Sequence, residues 1–136
     1  MIIEFSNKYL YDVYKLGMLL NRNYEKLYNE ESLNKGVNKT FLYIVNDEII
    51  GFLHIQDLVD EIDVINIVIN EDYRRKGYAS RLIEYVIKYA NTKKIVLEVS
   101  NHNISAINLY KKYDFKEINR RKGYYNGIDA IIMEKK

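Results

Sequence analysis

The run Arg74-Arg75-Lys76-Gly77-Tyr78-Ala79-Ser80 stands between an apolar strand pattern and an amphipathic helix pattern. A helix start presents N–H groups with no intrahelical partner and about half a positive charge, so it attracts phosphate. Gly77 lets the backbone approach an anion closely, small Ala79 keeps bulk away, and three adjacent cations raise the local potential. The same residues also fit a solvated basic turn closed by a glycine. Glu98 is the second position of interest, because it is the one charged side chain in Ile95-Val96-Leu97-Glu98-Val99. A carboxylate in an apolar strand is costly unless it is functional or paired. Either Glu98 acts on a ligand, or an arginine or backbone amide holds it.

Other chemistries are excluded by absence from the sequence. With no cysteine there is no disulfide framework, no thiolate zinc site and no thiol nucleophile. His54 and His102 are too few for a multi-histidine metal centre, so no metal is expected, although a carboxylate site is not excluded. The 21 basic and 19 acidic residues leave a net charge of +2. That balance argues against nucleic-acid binding, which calls for a dominant basic face. No apolar run approaches the ~20 residues of a membrane span, and MIIEFSNKYL lacks the basic start and apolar stretch of a signal peptide. The expectation is a soluble cytoplasmic protein, monomer or homodimer, folded as one domain over residues 1–136.

The elements that must position these residues follow from periodicity. Residues 1–5 read as a strand, and Leu10, Val13, Tyr14, Gly17 and Leu20 mark a helix capped by Ser6 or Asn7. A weaker helical stretch covers Tyr24 to Leu33. Strand patterns follow at 40–45, 49–58 and 61–69, the first two joined through Asn46-Asp47-Glu48. Ala79, Leu82, Ile83, Val86 and Ala90 line one face of a helix opened by Gly77, and 94–99 is a strand. A helix over 103–113 takes Asn103 as N-cap. Strands at 115–121 and 128–134, joined through Asn126-Gly127, end the chain. The strand–helix–strand unit 61–99 requires its two strands to be parallel, and the remaining strands read as antiparallel.

In this setting Arg-x-x-Gly-x-Ala after an apolar strand resembles the acyl-CoA pyrophosphate loop of the GNAT superfamily of N-acetyltransferases. Here it stands as IDVINIVINEDYRRKGYASRLIEYVI. The stretch LEVSNHNISAINLYKKYDFKEINRRKGYYNGIDAIIMEK resembles the C-terminal half of the RimI-type N-terminal acetyltransferases. The resemblance covers about residues 62–135 and matches the first 60 residues only in element order. It implies an α+β GNAT fold, a three-layer arrangement. Its mixed, mostly antiparallel sheet has a central parallel βαβ acyl-CoA-binding unit and helices on both faces.

The resemblance further implies that acetyl-CoA lies in a gap between strands 61–69 and 94–99. Backbone groups of Ile67, Val68 and Ile69 would hold the pantetheine and acetyl carbonyl. Arg74, Arg75, Lys76, Gly77, Tyr78, Ala79 and Ser80 would hold the pyrophosphate, with Asn103 also against CoA. The resemblance makes Glu98 the general base, its pKa raised by burial, and Tyr110 the acid that protonates the departing thiolate. A thiol near pKa ~8.5 and a phenol near ~10 are close enough for that transfer. Tyr124 and Tyr125 fall in the final hairpin loop, which in this family shapes the acceptor groove. Packing in the core is the competing role for each of these tyrosines. Arg120, Arg121 and Lys122 read as a solvated strand edge, and His54 and His102 match no catalytic position. No cysteine exists to carry an acyl group, so the implied reaction is direct attack by a primary amine in a ternary complex. The acceptor is expected to be a protein N-terminus. The alternatives are a small-molecule amine (polyamine, amino sugar or amino acid) and a non-catalytic acyl-CoA-binding module.

Overall fold

The computed structural model describes residues 1–136. Seven strands form one sheet: β1 (Ile2–Glu4), β2 (Asn38–Val45), β3 (Glu48–Asp57), β4 (Glu61–Ile69), β5 (Lys94–Ser100), β6 (Lys116–Tyr125) and β7 (Ile128–Lys135). Their spatial order is β1-β2-β3-β4-β5-β7-β6. Every neighbouring pair is antiparallel except β4–β5, which is parallel. The helices are α1 (Leu10–Gly17), α2 (Tyr24–Leu27), α3 (Glu30–Asn34), α4 (Tyr78–Ala90) and α5 (Ile104–Lys112).

The sheet is covered on both faces. On one face Leu82, Ile83 and Val86 of α4 and Ile107 and Tyr110 of α5 pack with Ile62, Val64, Ile95, Leu97 and Val99 of the central strands. On the other face Val13 and Leu16 of α1, Tyr24 of α2 and Leu33 of α3 pack with Leu42, Phe52 and Val68. The last residue of α1 is a glycine because the Tyr24 ring lies directly against it, leaving no room for a Cβ.

Three local expectations are corrected. The helical stretch at 24–33 is two short helices, because Asn29 is extended and its side chain accepts from the Ser32 N–H, starting α3 afresh. Leu20 lies beyond the end of α1 and is exposed, so it does not join the apolar face. Ser6 makes no side-chain cap, and the chain enters α1 through a 3-10 turn at Asn7–Tyr9. By contrast, Asn126 and Gly127 both take positive φ (48° and 90°), and Tyr125 pairs with Ile128. This is the left-handed two-residue turn that suits the twist of a hairpin.

The feature that positions the site is in β4. His54 faces Asn66 and Ile55 faces Val64, so Ile65 is an extra residue, a β-bulge. The bulge shifts the alternation by one. Ile62 and Val64 face α4 before it, Ile67 and Ile69 do so after it, and Val68 turns to the α1 face. The parallel pairing of β4 with β5 runs only from Glu61↔Lys94 to Val64↔Leu97. Past the bulge β4 runs on to Ile69 and β5 to Ser100 without pairing to each other. The sheet opens there.

Candidate active site

A cavity of about 570 Å³ lies along this opening. Ile67, Val68 and Ile69 line it from β4. Arg74, Arg75, Gly77, Tyr78, Ala79 and Ser80 line it from the loop and start of α4, and Asn103 and Tyr110 from α5. Lys76 is not in its wall; its ammonium rests 5.7 Å from the centre of the Tyr73 ring. Leu19, Leu20, Ser105, Ala106 and Leu109 also line the cavity, and none of them was expected from sequence. Leu19 and Leu20 are both exposed past the end of α1, and the sequence pattern, which put Leu20 on the helix's apolar face, gave no sign of this.

The edge of β4 that faces the cavity has no strand partner beyond Val64. Backbone N–H and C=O groups need partners, and those of an unpaired edge are available to a ligand. Val68 itself is buried in the α1-side core, so only its backbone is offered. At the other end Arg75 and Gly77 take positive φ (64° and 86°), and Gly77 caps α4 with no side-chain hydrogen bond. The first intrahelical bond there is Arg81 N–H to Gly77 C=O at 3.1 Å. The amides of Tyr78, Ala79 and Ser80 therefore precede the α4 ladder, and all three residues line the cavity. No atom lies within 4 Å of where a Cβ at Gly77 would sit, which leaves a bare, anion-attracting cradle. The Arg74 guanidinium donates to the Ile69 carbonyl at 3.3 Å, tying the loop to the end of β4.

Asn103 caps α5 as expected, its side chain accepting from the Ala106 N–H at 3.2 Å, and it also lines the cavity. Tyr110 is 5% exposed and packs against Phe115, the ring centres 5.8 Å apart and the planes tilted by 57°. Burial pushes its phenol up to about 12. That is above the ordinary phenol value near ~10 used in the sequence reading and further from a thiol near ~8.5, so burial makes this phenol the weaker acid.

Glu98 differs from expectation. It is neither isolated nor deeply buried: its side chain is 27% exposed and has two partners from β6. The Tyr125 hydroxyl donates to Oε1 at 3.1 Å, and Arg121 Nε lies 3.4 Å from Oε2. The paired alternative weighed from the sequence is thus present, and Arg121 is more than a solvated edge. Burial, with the neighbouring Glu98 charge, pushes the Tyr125 hydroxyl up to about 12. Tyr124 and Tyr125 end β6 itself; the hairpin loop is only Asn126-Gly127. Glu98 is also the first β5 residue past the paired segment. Leu97 and Val99 point to the α4–α5 face, so Glu98 points to the opposite one. Tyr110 and Glu98 thus lie on opposite faces of the sheet, and of the two only Tyr110 lines the cavity.

His54 is buried on the α1 face, its Nε2 3.0 Å from Asn38 Oδ1, with its pKa pushed down to about 4 by burial. His102 is exposed. Neither lines the cavity. No three His, Cys, Asp or Glu side chains converge as a metal site would require. No helix is long and apolar enough to cross a membrane.

A strand pair that parts beside a bulge, with a helix start at one end of the gap, fits the acyl-CoA site that the GNAT resemblance implied. Residues 5–115 match the acetyltransferase (GNAT) family, and the chain belongs to that family. It is similar to an N-alpha-acetyltransferase of Saccharolobus solfataricus, at 33% identity over 85% of this chain and 80% of that one. The crystal structure of the ribosomal-protein-S18-alanine N-acetyltransferase from Escherichia coli superposes with a TM-score of 0.83 at 26% identity, over 98% of this chain and 91% of that one. Arabidopsis thaliana NAA60, solved in complex with acetyl-CoA, superposes with a TM-score of 0.84 at 22% identity, over 99% and 97%, and shares the fold.

Proposed function

We propose that the chain moves an acetyl group from acetyl-CoA to the α-amine of a protein N-terminus, in the cytoplasm and without a covalent intermediate on the protein. The observation that carries this reading is the parting of β4 and β5 past Val64 and Leu97, with a cavity lined by Tyr110 along the parting and Glu98 the next residue of β5, on the opposite face of the sheet. The N-alpha-acetyltransferase and S18-alanine acetyltransferase relatives support the choice of acceptor.

Bound acetyl-CoA supplies the thioester carbonyl that the amine attacks. The amides at the start of α4, with Arg74 and Arg75, hold the pyrophosphate, and the free edge of β4 at Ile67–Ile69 holds the pantetheine and acetyl carbonyl. Glu98 accepts the proton that the ammonium must lose before it is a nucleophile, directly or through water. Its charge also favours a cation beside it. Tyr110, protonated throughout, donates to the departing sulfur from the α5 side. Tyr124 and Tyr125 flank the acceptor, and Tyr125 also fixes one oxygen of Glu98.

The test is a panel of peptides with different first residues, run beside spermidine, glucosamine and free amino acids, with CoA release as the readout. Turnover of peptides with far higher kcat/KM than the simple amines is expected. Preference for a small amine would move the acceptor to that class, and acetyl-CoA binding without turnover of any amine would leave a binding module.

A further inference from the structure

Arg120 and Arg121 are consecutive on an exposed edge strand yet are held in opposite ways. The Arg120 guanidinium donates to both carboxylate oxygens of Glu117, at 3.3 and 3.0 Å, and to Asp129 at 3.3 Å. Arg121 makes one charge contact, Nε to Glu98 Oε2 at 3.4 Å, and lies 5.1 Å from the centre of the Tyr124 ring. Its side chain is 54% exposed. A single contact that open to water is easily exchanged for another.

What Arg121 touches is a cation site. A carboxylate oxygen and an aromatic face are the two groups that attract an ammonium, and Tyr125 occupies only the other oxygen of Glu98. Resting on the assignment of Glu98 to the acceptor amine, we propose that Arg121 is a built-in stand-in for the acceptor's ammonium. It holds Glu98 Oε2 in the resting chain and yields it as the acceptor enters, so that it sets acceptor affinity and selectivity. The displaced guanidinium stays over Tyr124 at the rim of the site. There an acceptor with a carboxylate beside its amine gives it a new partner, and an acceptor with a lysine or arginine there meets it as a like charge. Binding is an exchange of ion pairs.

Steady-state kinetics on the full chain reads this directly, with three peptides that differ only in alanine, glutamate or lysine as second residue. Arg121→Gln is expected to lower the KM of the alanine peptide roughly two- to five-fold, the worth of an exposed ion pair. It is also expected to shrink the preference for glutamate over lysine. Arg121→Lys, which keeps a cation at the same place, restores both. Arg120→Gln removes an equal charge one residue away and leaves both as they are, which separates contact from long-range field. A purely structural Arg121 would give no fall in KM. An unchanged or raised KM in Arg121→Gln, or an undiminished glutamate preference, overturns the proposal while leaving acetyl transfer intact. Absence of turnover of every peptide and simple amine by the unaltered chain instead removes the functional reading and this inference with it.

Discussion

Replacing Gly77 with glutamate puts a carboxylate at the start of α4, where the pyrophosphate is assigned. The side chain meets open space, since no atom lies within 4 Å of the Cβ position. The backbone is the steric difficulty: φ is +86°, and a non-glycine residue there costs about 1–2 kcal/mol. A negative charge at a helix N-terminus offsets about 0.3–1 kcal/mol of that. The fold should survive with a melting temperature lower by a few degrees. Binding should suffer more. At ~5 Å, one unit of phosphate charge repels the carboxylate by about 0.8 kcal/mol in bulk water and about 3.3 kcal/mol at an effective dielectric near 20. At about 1.36 kcal/mol per decade, acetyl-CoA affinity falls roughly four-fold to a few hundred-fold. Gly77→Ala carries the backbone cost without the charge and should stay within a few-fold of the unaltered chain. Calorimetric titration with acetyl-CoA beside thermal melting separates the two effects. Unchanged affinity in a folded Gly77→Glu variant would remove this loop from the donor site.

Changing both Tyr124 and Tyr125 to alanine should raise the acceptor KM far more than the acetyl-CoA KM, because these residues flank Glu98 and neither lines the donor cavity. Equal changes in both constants, or collapse of the melting temperature, would return the pair to a packing role. His54 bears on stability: its folded pKa of about 4 lies below the unfolded ~6.5, so its contribution is present above ~6.5 and lost as pH falls towards 4. That contribution is on the order of 3 kcal/mol. Thermal melts from pH 7 to 4.5 should show a steep loss in the unaltered chain and a shallower one in His54→Gln. Parallel curves would mean that His54 is charged in place.

The loop before α4 and the start of that helix were legible because their physics is local. Gly77 at a helix start, the cations before it and the apolar period of α4 are all readable from a few neighbouring residues. The parallel β4–β5 pair followed from the helix that joins the two strands as a strand–helix–strand unit. The opening itself was harder, since Ile65 is one extra residue in an apolar run, and only the register against β3 reveals it. Adjacent Val64 and Ile65 were the available signal, a break in strict alternation. The partners of Glu98 were open for another reason. Arg121 and Tyr125 are more than twenty residues downstream, and β6 reaches β5 only across β7. Periodicity gives which face a residue takes, but not which distant strand end will bend over it. The same holds for Tyr110, whose phenol is raised by burial that its own helix does not determine.

The proposed transfer needs Glu98 to take the proton from the amine and Tyr110 to supply one to the departing sulfur. The most direct measurement is kcat against pH with a peptide whose only amine is its N-terminus, for the unaltered chain, Glu98→Gln and Tyr110→Phe. Glu98→Gln is nearly isosteric but cannot accept the proton, and should lower kcat by roughly 10²–10⁴-fold and flatten the acidic limb. Tyr110→Phe should also lower kcat while holding acetyl-CoA affinity within a few-fold. With its phenol raised to about 12, the unaltered chain should show no Tyr110-dependent fall below that pH. Near-normal kcat at neutral pH in Glu98→Gln, with the acidic limb intact, would contradict the account.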